Sequence, residues 1–95
     1  MQHDLRVQVS LIATGAGGRK TPIPPEEFRT VLTASGQNFS AALFPAETIH
    51  PGGPAVHCHV TLLDREFALP YFPPGTQFGL WEGGRKGYGS VLGWS

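Results

Sequence analysis

Glycine and proline interrupt this chain so often that a long amphipathic helix is excluded. They account for 13 and 9 of the 95 residues. No stretch of ten or more residues that is free of both shows helical periodicity. Between these breaks, short segments alternate apolar and polar residues, which is the period of a strand with one buried face. The sequence therefore predicts an all-β domain built from short strands.

Turn signals divide the chain into short segments at the spacing of a small β-domain. Strands are predicted at residues 5–13, 28–33, 39–44, 55–63, 66–69, 77–81 and 87–92. Prolines at 22, 24 and 25 predict an extended surface connection over residues 21–27. A small closed antiparallel barrel of about six strands is preferred over a sandwich, because closure removes the strand edges that exposed charges otherwise protect. Charged residues are only 15% of this chain.

Size and charge limit the function classes. A single domain over residues 1–95 is expected, and ten aromatic residues argue against disorder. Seven basic residues balance seven acidic ones, which excludes a strongly basic nucleic-acid protein and a polybasic membrane binder. The lone Cys58 cannot form an internal disulfide, and no apolar run approaches 18 residues. With no signal-peptide pattern at the N-terminus, the sequence predicts a cytoplasmic protein without a membrane partner.

The tetrapeptide Gly-Gly-Arg-Lys occurs twice, at residues 17–20 and 83–86. Paired glycines suit tight turns with positive φ and allow close approach of another backbone. One interpretation brings both turns to one end of the barrel as a small anion site for phosphate or a partner's carboxylates. The other treats them as unrelated turns flanked by solvated cations. Residues 15–21 lack a glycine directly before the lysine and a following helix, so no nucleotide cofactor is expected.

Histidines on one predicted strand raise the question of a metal site. His57 and His59 share a strand face, and His50 precedes them in a turn. Cys58 points to the opposite face and cannot complete the site while the strand is regular. An ordinary solvated face is therefore favoured over a metal site. Cys58 is interpreted as a small core residue with an unreactive thiol.

Signals for catalysis are sparse. The acidic residues are scattered and mostly fall in turns. No serine lies in a Gly-x-Ser-x-Gly nucleophile turn, and strand geometry keeps Cys58 away from the neighbouring histidines. The chain is therefore predicted not to be an enzyme.

Aromatic residues fall in two groups. Trp81 and Tyr88 flank the hairpin tip at residues 82–87 and are either cross-strand neighbours or an exposed stacking surface. Tyr71 and Phe72 lie among prolines and are predicted to cover one end of the barrel.

Four short motifs occur in an order that is typical of one known domain. Residues 16–22 read Ala-Gly-Gly-Arg-Lys-Thr-Pro, residues 28–30 Phe-Arg-Thr, and residues 50–53 His-Pro-Gly-Gly. Residues 78–91 read Phe-Gly-Leu-Trp-Glu-Gly-Gly-Arg-Lys-Gly-Tyr-Gly-Ser-Val. Over about residues 5–92 this series resembles the third, C-terminal domain of the translation elongation factor Tu family. The resemblance implies a six-stranded antiparallel barrel.

The resemblance also implies partners. In the full factor this domain packs on a GTPase domain and helps to hold aminoacyl-tRNA, with its Glu-Gly-Gly turn against the T-stem backbone. Glu82 and Gly83 are the direct counterparts of that turn, and Arg29 is a weaker one. The sequence departs from the family where Trp81 replaces an arginine, Ala16 a glutamate and Gly53 an aspartate.

These observations predict a stand-alone, non-catalytic binding module. The preferred partner is a protein, either a GTPase domain or a second copy of the chain, docked on Trp81, Tyr88 and Trp94. The alternative is weak binding of tRNA or another RNA, whose phosphates would meet the Gly83 and Gly84 N–H groups and Arg85. The predicted contact residues are Arg19, Lys20, Arg29, Trp81, Glu82, Gly83, Gly84, Arg85, Lys86 and Tyr88.

Overall fold

Six strands close into an antiparallel barrel in the computed structural model, which describes residues 3–95. Around the barrel the strands follow the order β1-β4-β3-β2-β5-β6, and β6 pairs back to β1. The strands are β1 (Leu5–Leu11), β2 (Phe28–Ala34), β3 (Gln37–Pro45), β4 (Val56–Leu62), β5 (Gln77–Trp81) and β6 (Arg85–Trp94). This confirms the predicted all-β class and the closed six-strand barrel.

The alternating pattern fills the interior of the barrel. In β1, Leu5, Val7 and Val9 are fully buried, while the residues between them face outward. The proline-rich connection before β2 is exposed, as predicted, except at Ile23. It is not extended throughout, because it bends at residues 25–26, where the Glu26 N–H donates a hydrogen bond of 2.8 Å to the Pro24 carbonyl oxygen. Ile23 and Ile49 exchange two backbone hydrogen bonds, which join the connection before β2 to the connection after β3. Both side chains are fully buried in the core.

The predicted strand at residues 66–69 is wrong, because this segment begins with a short helix, α1 (Arg65–Ala68), followed by a 3-10 turn over Leu69–Tyr71. Asp64 caps α1 by accepting a hydrogen bond from the Phe67 N–H, and a proline lies in the first turn of the 3-10 segment. Four residues are too few for periodicity to distinguish a strand from a helical turn. Within residues 3–95, no helix has the length and apolar character needed to span a bilayer.

A large and a small residue, Phe78 and Gly89, are paired across β5 and β6. The ring of Phe78 on β5 occupies the space where a side chain on Gly89 of β6 would lie. A Cβ at Gly89 would also come within 2.8 Å of the Gln8 carbonyl oxygen.

Phe72 covers one end of the core and packs edge-on against Phe39, with ring centres 5.2 Å apart. The prediction that the aromatic and proline cluster covers one end of the barrel is thus confirmed.

Candidate functional site

The two Gly-Gly-Arg-Lys segments lie side by side at one end of the barrel. The strands β1 and β6 are antiparallel neighbours, so the segment after β1 meets the segment before β6. The Lys86 ammonium donates a hydrogen bond of 3.0 Å to the Gly17 carbonyl oxygen. The Arg19 guanidinium lies 3.6 Å from the Glu82 carboxylate. We call this surface, residues 14–20 with residues 82–86, the turn end.

Glycine serves a different purpose at each position of the two motifs. Gly17, Gly83 and Gly84 have φ values of 94°, 67° and 157°, which L side chains rarely adopt. Gly18 has ordinary φ, but a Cβ there would overlap the Ile12 carbonyl oxygen. Only the second motif therefore has positive φ at both glycines, and these occupy the last two positions of a three-residue turn, because Trp81 pairs with Arg85. The predicted two-residue turn is wrong. The first motif uses Gly18 for close backbone approach.

Arg19 holds the turn end together rather than facing solvent. Its side chain is 19% exposed, and its guanidinium lies over the Phe28 ring, 4.8 Å from the ring centre. It also donates a hydrogen bond of 3.1 Å to the Thr21 hydroxyl. Because the Lys86 ammonium is hydrogen-bonded to Gly17, two of the four cations in the repeated motif make contacts within the turn end. Lys20 and Arg85 are exposed.

An aromatic and cationic surface borders the turn end on the outside of the barrel. Val31, Trp81 and Arg85 are register partners across β2, β5 and β6. The Arg85 guanidinium lies over the Tyr88 ring, 5.4 Å from its centre. Trp81 and Tyr88 are 45% and 50% exposed. We call Val31, Trp81, Arg85 and Tyr88 the Trp81 face.

The strand register tests one of the two interpretations of Trp81 and Tyr88, that they are cross-strand neighbours. They are not directly opposite each other, because an irregularity between Leu80 and Trp81 shifts the pairing. Trp81 pairs with Arg85, and Tyr88 pairs with Gly79. A Cβ on Gly79 would lie 2.9 Å from the Arg85 Nε, so the missing side chain leaves room for Arg85 on this surface.

The remaining predicted contact residues take separate positions. Arg29 is 86% exposed and donates a hydrogen bond of 2.9 Å to Glu27. It lies two residues before Val31 on β2, at the border of the Trp81 face. Glu82 and Gly83 are exposed on the turn end, where Glu82 pairs with Arg19.

Trp94 does not belong to the same surface, so the prediction that groups it with Trp81 and Tyr88 is wrong. It ends β6 nine residues after Arg85, which corresponds to about 30 Å of strand. It pairs with Leu5, and its indole N–H donates a hydrogen bond of 2.7 Å to the Phe72 carbonyl oxygen. Trp94 therefore packs at the opposite end of the barrel.

The histidines on β4 face outward together, as predicted. The ring of His59 lies 5.3 Å from that of His57 and 5.0 Å from that of His3. Cys58 points into the core, where burial raises the pKa of its thiol to about 12. In residues 3–95, no group of three or more His, Cys, Asp or Glu side chains is arranged to hold a metal ion.

A furrow along β3 was not anticipated from the sequence. It has a volume of about 630 Å³ and crosses the outer faces of β2, β3 and β4. Its lining includes Val31, Ser40, Ala42, Phe44 and Leu63. The alternation of β3 indicates which residues face outward, but only the strand order shows which side chains flank them.

The fold and these surfaces define a class of protein: a small closed antiparallel β-barrel. A hydrogen bond joins its two glycine-rich turns at the turn end, and the Trp81 face is exposed beside them. No protein-family model matches the chain, and no curated protein matches it either.

Proposed function

We propose that this barrel is a non-catalytic binding module, related to the third domain of elongation factor Tu, that docks a protein partner on the Trp81 face. The observation that carries the proposal is the exposure of Trp81 beside the stacked pair of Arg85 and Tyr88. Tryptophan, tyrosine and arginine are the side chains most enriched among the residues that dominate protein–protein binding energy. A partner that covers this face would remove both exposed rings from water.

The contacts within the turn end support the same proposal. The Lys86–Gly17 hydrogen bond and the Arg19–Glu82 ion pair fix the border of the Trp81 face. A surface that is already ordered loses less conformational entropy when it binds. A folded protein such as a GTPase domain is the class of partner that fits a preformed, partly apolar surface.

Weak RNA binding is the second candidate, and the exposed cations favour it. Lys20, Arg29 and Arg85 all present charged side chains near this end of the barrel. Arg19 and Lys86 are engaged within the protein, however, and the net charge is zero. Because affinity for RNA depends on the number of phosphates neutralised, this surface offers few of the contacts required.

Co-purification from the source cells at low and high salt distinguishes the two candidates. We would compare the tagged wild type with Trp81→Ala and Arg85→Glu. Leu92→Ala is the matched control, because Leu92 is also an exposed apolar residue on β6. Far-ultraviolet circular dichroism would verify that each variant is folded.

For the protein-docking proposal, we expect one protein to remain bound at high salt, to be lost from Trp81→Ala and to be kept by Leu92→Ala. Equal retention by folded Trp81→Ala and wild type contradicts the proposal. RNA that is enriched only at low salt and is lost from Arg85→Glu would instead support the second candidate.

A further inference from the structure

Three histidines from distant parts of the chain meet on the outer face of β4. His57 and His59 point outward from β4, and His3, from the segment before β1, lies beside them. The ring of His59 is central, since its centre lies 5.0 Å from that of His3 and 5.3 Å from that of His57. The sequence pointed to His50 as the third histidine of this surface, whereas the ring contacts involve His3.

His3 is held beside β4 by its neighbours. The Asp4 N–H donates a hydrogen bond of 2.8 Å to the Val60 carbonyl oxygen. The Nδ1 atom of His3 lies within hydrogen-bonding distance of the Thr61 hydroxyl, at 3.2 Å, and the ring packs on Phe44 with centres 4.6 Å apart. A hydrogen bond at one ring nitrogen leaves the other, Nε2, for a ligand, which is the usual arrangement of metal-bound histidines.

The two histidines of β4 also have ring nitrogens without protein partners. The Nδ1 atom of His59 is buried and has no hydrogen-bond partner among residues 3–95, so Nε2 is the nitrogen that this ring can present to a ligand. His57 is exposed, and its side chain can therefore reorient. Cys58, between them, faces the core and contributes no thiolate to this surface.

The spacing of the three rings is that of imidazoles sharing one ion. Two imidazoles bound to a tetrahedral ion at metal–nitrogen distances of about 2.0–2.1 Å have ring centres about 5 Å apart. The rings are stacked and edge-on, with interplanar angles of 26° and 83°, so they must turn to aim their nitrogens at one point. Rotamer changes of exposed side chains take picoseconds to nanoseconds and require no movement of the strand.

The neighbouring cations do not oppose an ion at this place. Arg6 is the register partner of His59, but its guanidinium leans over β6, where a Cβ at Gly93 would lie 2.6 Å from its Nη2 atom. Arg65 is paired with the Asp4 carboxylate at 2.8 Å. Neutral imidazoles are suitable ligands for borderline divalent ions such as Zn²⁺.

We propose that His3, His57 and His59 form a surface site for one Zn²⁺ ion, with water completing its coordination. The ion would tie the segment before β1 to β4. Because the folded chain brings these ligands together, binding would stabilise the fold. Two strands separate β4 from β5 in either direction around the barrel, so this site is independent of the proposed docking on the Trp81 face.

Zn²⁺ titration by isothermal calorimetry tests the site on the purified full chain, prepared without a polyhistidine tag. We expect one ion per chain, and an affinity that falls at least tenfold in each of His3→Ala, His57→Ala and His59→Ala. His50→Ala is the matched control, since it removes an exposed histidine of the connection after β3, and it should leave the affinity unchanged. Mg²⁺ should not compete, because it prefers oxygen ligands.

Thermal unfolding gives a second measurement. Zn²⁺ should raise the unfolding midpoint of wild type and of His50→Ala, and should leave that of His59→Ala unchanged. Circular dichroism without metal verifies that the variants are folded. The affinity should fall as the pH is lowered through the range in which imidazoles take up protons, because protons compete with the ion for the ring nitrogens.

The proposal is overturned if wild type takes up no Zn²⁺. It also fails if folded His3→Ala binds as tightly as wild type, since the ion would then require only the pair on β4. Equal losses in His50→Ala and in the three cluster variants would show non-specific binding and would contradict the site as well.

Discussion

The Lys86 ammonium donates a hydrogen bond of 3.0 Å to the carbonyl oxygen of Gly17, 69 residues earlier in the chain. This bond joins the two copies of the Gly-Gly-Arg-Lys tetrapeptide. It also shows that a lysine in a glycine-rich turn can serve the fold instead of a ligand. Four predictions about the fold follow from this and similar contacts.

Lys86→Met should lower the free energy of unfolding by about 0.5–1 kcal/mol, because the Gly17 carbonyl loses a charge-assisted hydrogen bond at the protein surface. Lys20→Met is the control, since Lys20 is an exposed lysine in the other copy of the motif. It should change stability by less than about 0.5 kcal/mol. Urea unfolding followed by circular dichroism measures both variants. Equal effects of the two substitutions would contradict the structural role of Lys86.

Arg19 should matter more through packing than through its ion pair with Glu82. Glu82→Gln should cost about 0.2–1 kcal/mol, and part of that cost should disappear at high salt, because the Arg19 side of the pair is shielded while the Glu82 carboxylate is more accessible. Arg19→Ala should cost more, because it also removes the contact with Phe28 and the hydrogen bond to Thr21. A double-mutant cycle in urea gives the coupling energy of the pair. A cycle in which the pair accounts for the whole cost of Arg19→Ala would refute this division.

Gly89→Ala should severely destabilise the barrel, whereas Gly93→Ala should have a much smaller effect. At Gly89 the new methyl meets the buried Phe78 ring and the backbone of β1. At Gly93 the nearest atoms belong to the flexible guanidinium of Arg6, at 2.6 Å, which can move aside. Both glycines are on β6, so the pair is matched for strand propensity. Thermal unfolding that ranks the two variants in the opposite order would show that the packing argument is wrong.

The buried thiol of Cys58 should make stability depend on alkaline pH. Burial raises its pKa to about 12 from an ordinary value of 9.0. Between these values the unfolded chain has lost a proton that the folded chain retains, so stability falls as pH rises. The slope is about 1.4 kcal/mol per pH unit.

Cys58→Ala lacks this titration and isolates it from the lysines and tyrosines that titrate in the same range. Urea unfolding at several pH values above 9.0 should give wild type the steeper decline. Parallel pH profiles for wild type and Cys58→Ala would contradict the assignment. The same burial predicts that a thiol reagent labels Cys58 only after unfolding.

The strands were predictable where alternation is long and uninterrupted. In β1 and β4 every second residue is buried, and the sequence shows this directly. The segment at residues 66–69 was not predictable, because the Asp64 cap and one proline outweigh a pattern only four residues long. Trp94 was misplaced for a different reason, since an exposed aromatic residue carries no local signal of which end of a barrel it occupies.

The sequence by itself determined that the chain forms short strands with one buried face, because the apolar residues alternate with period two and frequent glycine and proline exclude long helices. It also determined that Cys58 faces away from the two histidines, since neighbouring residues on a strand point to opposite sides. Strand order and register belong to the tertiary structure, because pairing energies join residues far apart in the chain. That order alone brought Lys86 to Gly17, placed Trp81 between Val31 and Arg85, and opened the furrow beside Leu63.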